Sequence, residues 1–260
     1  MHFFVDKGSI VREIWGKADS ILFIFAGASA EFSLNKAVDW LYFTGRLPAD
    51  PLGRLFSTVS YARLIVFSEH DEAMKAIDKI AGIHQAVEQS RGAQIPDWAY
   101  RDVLFMLIDY SIRSFELLER KLTRQEKEEV FKTFSAVGNR MQIKGLPQSF
   151  AAWEMMREQH LEQDLSASEF THDLYQQYRK HLGPVRFPML KQVQRMIVPE
   201  RVKMMLPLGR IGYMKPVLSI YKGFRIFGLE KYIRNMLLPQ DYKSQIIELD
   251  LAHVERHRTG

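Results

Sequence analysis

The sequence predicts an all-α fold, organised as a single globular multi-helix domain. Three observations lead to this prediction. Apolar residues recur with a period near 3.6 from residue 52 to residue 182. Signals typical of helix ends bracket these stretches. Strand signals are nearly absent, because alternation of apolar and polar residues is nowhere sustained and no Asn-Gly or Asp-Gly hairpin turn occurs.

The first part of the chain is predicted to contain several short helices. Residues 8–43 hold two or three of them, broken near Gly16 and Ser33. The segment TGRLPADP that follows is predicted to be a loop, and its last residue, Pro51, stands where a helix can begin. A longer helix is then predicted over 52–67.

Five further helices are predicted from their apolar stripes and terminal residues. They are a helix over 70–91 that ends at Gly92, one over 97–120 opened by Pro96, one over 124–137, the amphipathic stretch SFAAWEMMREQHLEQ, and one over 167–182. Thr123 with Glu126 is expected to form a capping box, and so is Ser166 with Glu169. Beyond Pro184, shorter helices are expected, because the prolines at 188, 199, 207 and 216 interrupt them.

The chain is predicted to form one domain over residues 1–260, since no linker separates two parts. Its core is expected to cover 8–210, and the remainder, 211–260, is expected to wrap around that core. Within the remainder, the basic and aromatic-rich stretch 214–239 has two interpretations. It packs on the domain as ordinary amphipathic helices, or it lies on a membrane surface with its cations toward the headgroups.

Composition excludes several classes of function. The 260 residues include no cysteine, which excludes disulfides, thiolate catalysis and cysteine-ligated metal centres. The net charge of +5 comes from scattered cations, so no nucleic-acid partner is expected. The longest apolar run, ILFIFAGASA, is too short to span a bilayer. The N-terminus carries charges that the apolar h-region of a signal peptide lacks. A cytoplasmic protein is therefore expected, with no indication of its oligomeric state.

One histidine falls on an inward apolar stripe. In the helix over 70–91, the stripe consists of Ala73, Ile77, Ile80, His84 and Val87, at steps of four and three. On the preceding predicted helix, Arg54 and Thr58 lie four apart and share one side. The residues alone leave two readings open for this set. Either His84 is a core histidine bonded to a carbonyl or carboxylate, with Arg54 clamping the ADPLG loop, or the three enclose a ligand.

A carboxylate also falls inside an apolar run. Asp109 lies in VLFMLIDYSI, with Arg113 one turn later. An isolated charge in the protein interior is strongly unfavourable, so a buried Asp109 must be paired or hydrogen-bonded. The i,i+4 spacing makes Arg113 a candidate partner.

The remaining histidines point less clearly to a site. Five lie in polar or basic surroundings and are expected to be solvated: His70, His160, His181, His253 and His257. A di-iron carboxylate bundle would need two Glu-x-x-His motifs on facing helices. Only EFTH, with Glu169 and His172, has this spacing. That class of metal site is the rival to a ligand at His84.

The chain resembles the MpaB-type oxygenase and rubber oxygenase (latex clearing protein) family. The resemblance covers most of residues 8–210. It is carried by GSIVREIWG, DPLGRLFSTVSYARLIVFSEHDEA, KIAGIHQAVE, LIDYSIRSFELL and HLGPVRFPMLKQVQRMIVPERVKMMLPLG, taken in this order and spacing.

The resemblance implies a b-type haem inside an all-α domain. The family's haem-ligating histidine lies in a motif that looks like IHQAV here, which gives His84 the role of iron ligand. The family's arginine and threonine on the open side of the haem match Arg54 and Thr58, which would act on bound oxygen or substrate. Asp109 is our candidate for the acceptor of the second N–H of His84. An oxygenase acting with dioxygen on an apolar, isoprenoid-like substrate is the function that the resemblance implies.

The chain departs from the family at four positions where relatives carry His or Arg. These positions hold Gly27, Ala81, Glu88 and Leu104. In addition, Ser57 stands where a rubber oxygenase has a lysine. These departures keep a second function open, in which the protein is a non-enzymatic carrier of an apolar ligand and its haem site is degenerate.

Overall fold

The structure is a computed structural model that describes residues 2–45 and 49–209. Within the helix that begins at Pro51, the side chains at positions 52 and 54–56 lie outside the description. The C-terminal segment 211–260, predicted to wrap around the core, also lies outside the described residues. The same holds for the basic stretch 214–239.

The described residues form ten helices and no strand. The helices are α1 Ile10–Gly16, α2 Ala18–Phe32, α3 Asp39–Phe43, α4 Pro51–Phe67, α5 His70–Arg91, α6 Asp97–Leu118, α7 Arg124–Arg140, α8 Phe150–Gln163, α9 Glu169–Ile197 and α10 Glu200–Met205. Two isolated antiparallel bridges, Phe3 with Glu69 and Asn35 with Leu165, are the only extended pairings in this part of the chain. The predicted all-α fold is confirmed.

Local sequence signals set most of the helix ends. Pro51 is the first residue of α4, where its missing N–H costs nothing, and the Asp50 carboxylate accepts a hydrogen bond from the Gly53 N–H at 2.8 Å. The predicted box of Thr123 and Glu126 caps α7 in both directions. Gly92 ends α5 in the left-handed conformation, at φ 68°.

The predicted capping box of Ser166 and Glu169 is wrong, because the cap is formed by residues two positions further along the chain. The Ser166 N–H is bound to the Leu34 carbonyl at 2.7 Å, so residue 166 belongs to a contact with another part of the chain. The cap forms two residues later, where the Ser168 N–H donates to Thr171 Oγ1 at 2.9 Å. The helix therefore begins at Glu169.

Helix α9 is longer than the sequence predicted. It runs through Pro184 and Pro188 to Ile197, with a kink at Gly183, whose φ of 71° and ψ of −174° are not helical. The kink restarts the helix at Pro184, a first position where a missing N–H is tolerated, and Pro188 follows one turn later. The expectation of short helices beyond Pro184 is thus corrected.

Helices α2 and α6 lie against each other in the centre of the molecule. They approach closely at Gly27, where a Cβ atom would come within 2.3 Å of the Tyr110 ring. Only glycine allows this approach. The side chains that fill the core between these two helices and their neighbours include Trp15, Ile21, Ile24, Phe105, Ile108 and Phe115. No helix in residues 2–45 and 49–209 is long and apolar enough to cross a membrane.

Candidate functional site

The His84 stripe on α5 is buried at one end and half-buried at the other. Ala73 and Ile77 are fully enclosed, because they pack into a small apolar cluster with α4 and α7. Further along the helix, Ile80, His84 and Val87 are only half-buried. The first half of the stripe is therefore buried as predicted, whereas the second half, which contains the imidazole, is only partly covered by the described residues.

The ring of His84 packs against Tyr100, at the start of α6. The two ring centres are 5.2 Å apart and the planes are nearly perpendicular, at 83°. The Tyr100 hydroxyl donates to Glu88 Oε1 at 3.2 Å, and the Ile95 N–H donates to the same oxygen at 2.8 Å. Burial and the Glu88 charge raise the pKa of Tyr100, so its hydroxyl remains a donor. Glu88 therefore holds the ring that packs on His84.

Thr58 is carried by helix α4, which packs along α5. Only two residues separate α4 from α5 and the helices pack along each other, so they run antiparallel. Lys79 Nζ on α5 lies 5.8 Å from the ring centre of Tyr61 on α4, and this contact indicates how the two helices are aligned along each other. Thr58 precedes Tyr61 in α4, and His84 follows Lys79 in α5. Both residues therefore lie further from the connection between the helices than the contact of Lys79 with Tyr61 does. The side chain of Thr58 is half-buried. The Arg54 side chain lies outside the description, so convergence of the three side chains stays a prediction.

A second polar group, buried in the core between α2, α6 and α8, is centred on Arg157. This side chain donates to Glu31 Oε2 at 2.6 Å and to Asp109 Oδ2 at 2.8 Å. The Tyr110 hydroxyl also donates to Glu31 Oε2, at 2.7 Å. All four residues are buried, and Glu31 is completely enclosed. We refer to Glu31, Asp109, Tyr110 and Arg157, together with Asn35, Asp102, His160 and Asp164, as the buried polar cluster.

His160 extends this cluster toward the end of α8. Its Nε2 lies 2.9 Å from Glu31 Oε1. Its Nδ1 lies 2.8 Å from Asp102 Oδ1 and 3.5 Å from Asp164 Oδ2. Nδ1 is buried and makes no hydrogen bond of satisfactory geometry, so these contacts are close pairs of opposite charge. Asp102 is held from its other side by Asn35, whose Nδ2 donates to Oδ2 at 3.0 Å.

The electrostatics of the cluster follow from burial combined with close opposite charges. Burial alone would raise the pKa of Glu31, but Arg157 and His160 outweigh it and hold that pKa well below its usual value. Burial would lower the pKa of His160, whereas the adjacent Asp102 and Glu31 carboxylates raise it to about 9. Burial raises the pKa of Asp102 against the opposing effects of His160 and Asn35. At neutral pH and without another cation, His160 is an imidazolium between carboxylates.

The structure gives Asp109 partners on both oxygens. Oδ1 accepts from Arg113 Nε at 2.7 Å, which confirms the i,i+4 pair considered from the sequence. Oδ2 accepts from Arg157. The requirement that a buried Asp109 be paired is therefore met by two guanidinium groups. Its predicted role as acceptor for His84 stays a prediction.

The expectation that His160 is solvated is wrong, since the residue is 3 % exposed. Its neighbours in sequence, REQHLEQ, are mostly polar, which suggested a surface position. The informative signal was the spacing on α8, because Trp153, Arg157, His160 and Leu161 follow helical steps and form one buried face. By contrast, Glu169 and His172 are exposed at the start of α9, so the pair offers no interior site for a di-iron bundle.

The departures from the family pattern have structural counterparts here. Gly27 leaves no room for a larger side chain beside Tyr110. Leu104 is buried among apolar neighbours. Glu88 anchors Tyr100, as described above. Two of the four positions are thus part of the packing, and a third supports the residue next to His84.

Comparison with protein families gives one match. The model of the family described as ER-bound oxygenase mpaB/B′/rubber oxygenase, catalytic domain, matches residues 17–218. The match includes the helices that carry Thr58, His84 and the buried polar cluster. No curated protein and no solved structure matches the chain significantly.

Proposed function

The chain belongs to the family of the mpaB and rubber oxygenase catalytic domain, and from that premise we propose that it is a haem b-dependent oxygenase. The family match supports an oxygenase-type catalytic domain. The observation that carries the haem assignment is the position of His84, a half-buried imidazole on an apolar stripe that the described residues cover only in part. The donor is suited to haem iron, and the surrounding apolar surface is suited to a flat apolar group.

His84 would hold the haem iron through one ring nitrogen. Its ring already packs edge-on against Tyr100, at 5.2 Å between centres, and Tyr100 is fixed by Glu88. This arrangement limits rotation of the imidazole, as a ligand position requires. A haem held by His84 would supply the dioxygen chemistry of the proposed reaction.

Arg54 and Thr58 would act on the oxygen side. Both belong to α4, which packs along the helix that carries His84. A guanidinium group in a site that excludes water stabilises negative charge developing on oxygen, and a hydroxyl one turn away can orient it by hydrogen bonding. We therefore assign charge stabilisation to Arg54 and orientation to Thr58.

We propose an apolar substrate, such as an unsaturated, isoprenoid-like chain. The support is chemical, because the uncovered part of α5 is apolar beside His84, with half-buried Ile80 and Val87 and with Ile83 39 % exposed. An aliphatic chain is bound by burial of such surface rather than by hydrogen bonds. Dioxygen is the proposed co-substrate.

The test of the haem assignment is the optical spectrum of the full chain after expression with excess haem precursor. We expect a Soret band, and we expect His84→Ala to abolish haem retention. The matched control is His172→Ala, which removes an exposed imidazole and should leave the spectrum unchanged. A colourless wild-type protein would instead favour a non-enzymatic carrier of an apolar ligand, and equal haem content in all three proteins would contradict the ligand assignment.

The test of the oxygen-side assignment is Arg54→Ala. The variant should keep its haem, while oxygen consumption with a squalene emulsion as probe should fall by roughly a hundredfold or more, the usual cost of losing one preorganised stabilising donor. Unchanged turnover at full haem content would contradict the assignment and indicate that Arg54 instead has a structural role in clamping the ADPLG loop.

A further inference from the structure

We propose that Asp102, His160 and Asp164 form a binding site for a first-row divalent metal ion such as Zn²⁺ or Mn²⁺. The site lies at the end of α8 and shares no residue with the proposed haem site, so it does not rest on the haem proposal. One imidazole nitrogen and two carboxylate oxygens form a donor set that such ions accept, with water completing the coordination.

The geometry around His160 Nδ1 fits metal coordination better than hydrogen bonding. The nitrogen is buried and lies 2.8 Å from Asp102 Oδ1, yet this contact lacks hydrogen-bond geometry. A metal ion occupies a point off the line between its ligands. Ligand atoms 2.8 Å apart that both bind at ~2.1 Å subtend roughly 85° at the ion, and atoms 3.5 Å apart, as for Asp164 Oδ2, subtend roughly 110°. Both angles are ordinary in coordination spheres.

The surroundings match the usual support of a histidine ligand. A metal-bound imidazole donates its other N–H to a carboxylate, which sets the tautomer and the ring orientation. Here Nε2 of His160 lies 2.9 Å from Glu31 Oε1, and Glu31 is itself fixed by Arg157 and Tyr110. Asp102 is oriented in the same way by the Asn35 amide. Two of the three ligands, His160 and Asp102, are therefore held before any metal binds.

The charge balance also calls for a cation. Among the described residues, four carboxylates and two guanidinium groups meet in this region: Glu31, Asp102, Asp109 and Asp164 against Arg157 and Arg113. A divalent ion bound to a neutral imidazole would bring the set to neutrality, whereas a proton on His160 leaves one excess negative charge. The nearby Lys36 is exposed and its ammonium donates to the Gln163 carbonyl.

Access is available on one side of the site. The side chain of Asp164 is 27 % exposed, while those of His160 and Asp102 are 2 % and 3 % exposed. Asp164 is also the C-cap residue of α8, where the carbonyl end of the helix dipole favours a cation. A metal ion and its water ligands would enter past Asp164.

The experiment is a metal titration of the untagged full-length protein after treatment with a chelator. We expect one equivalent of Zn²⁺ to bind and to raise the melting temperature, with Mn²⁺ also binding and Mg²⁺ binding far more weakly. Asp164→Asn should weaken Zn²⁺ binding at least tenfold. This partly exposed position was chosen because the variant is expected to fold, as circular dichroism would verify. The matched control is Glu162→Gln, an exposed carboxylate on the same turn, which should bind as the wild type does.

A second readout separates ligation from a structural role. Direct binding of Zn²⁺ to His160 should shift the ¹⁵N resonance of its Nδ1, and His84→Ala should leave that shift intact. Absence of stoichiometric Zn²⁺ binding by the wild-type protein would overturn the proposal and leave His160 as an imidazolium between carboxylates. Equal Zn²⁺ affinities for Asp164→Asn and Glu162→Gln would overturn it as well, by showing adventitious binding elsewhere.

Discussion

His160 and His84 occupy contrasting environments. His160 is 3 % exposed, both of its ring nitrogens face carboxylates, and those carboxylates are held by further side chains. His84 is half-buried on a stripe that is only partly covered, and its described neighbour is an aromatic ring. The first environment fixes charge inside the core. The second leaves the imidazole on a helix face that the described residues cover only in part.

This difference separates stability from function in a way that mutation can test. A buried charge cluster is costly to break, because removing one member leaves another charge enclosed without its partner. A substitution on a half-covered surface changes the free energy of unfolding little, since solvent replaces the lost contacts there. Substitutions of fully enclosed members of the buried polar cluster, such as Glu31 and Arg157, should therefore act mainly on folding. Substitutions at the partly exposed Asp164 and around His84 should act mainly on ligand binding.

The largest effect is expected for Glu31→Gln. The change removes the charge that pairs with Arg157 and His160 inside the core, so the free energy of unfolding should fall by about 3–5 kcal/mol. Urea denaturation followed by circular dichroism measures it. Glu162→Gln makes the same chemical change at an exposed position and should alter the free energy by less than about 0.5 kcal/mol. A loss below 1 kcal/mol for Glu31→Gln would show that the cluster does not stabilise the fold.

The next effect is a pH dependence that originates at His160. Its pKa is raised from 6.5 to about 9 in the folded protein, so its stabilising contribution is fully present below pH 6.5 and is lost as pH rises through 9. The shift corresponds to roughly 3 kcal/mol. In the presence of chelator, the excess stability of the wild type over His160→Gln should shrink by about that amount across this window. A difference that stays constant from pH 6 to pH 9.5 would contradict the assignment.

A smaller effect, opposite in sign between the two regions, is expected at two helical glycines. Gly27→Ala forces a methyl group into the Tyr110 ring and should destabilise the protein by about 1–3 kcal/mol. Gly82→Ala, on the helix that carries His84, meets nothing within 4 Å and should stabilise it by about 0.5–1 kcal/mol through helix propensity. Thermal denaturation of both variants measures the contrast, and equal changes would show that packing does not distinguish these regions.

The smallest effect is expected for Tyr100→Phe. The ring that packs on His84 remains, and only the hydrogen bond to Glu88 is lost, so the free energy of unfolding should fall by about 1 kcal/mol or less. Under the haem proposal, the variant should bind haem with the wild-type stoichiometry. Complete loss of haem with an intact fold would instead show that the Tyr100 hydroxyl itself belongs to the cofactor site.

Local signals predicted the helices well where their ends are capped by their own residues. The ends of α4, α5 and α7 depend on Pro51, Gly92 and the Thr123–Glu126 pair, which lie within a few residues of the helix that they cap. The start of α9 was placed wrongly because Ser166 is bound to Leu34. Thr171 likewise donates to the Ser33 carbonyl, at 2.7 Å. These partners are more than 130 residues away, and no local pattern contains them.

The sequence by itself determined that the chain is helical, that Asp109 needs a partner and that His84 lies on an apolar stripe. Each of these follows from spacing along one helix or from the cost of burying a charge. Only the tertiary structure decided that His160 is interior, because its burial depends on Glu31 and Asp102, carried by two other helices that meet at the end of α8. A polar residue can be buried when partners distant in sequence satisfy its hydrogen bonds. Apolar periodicity describes one helix at a time, so it contains no information about such partners.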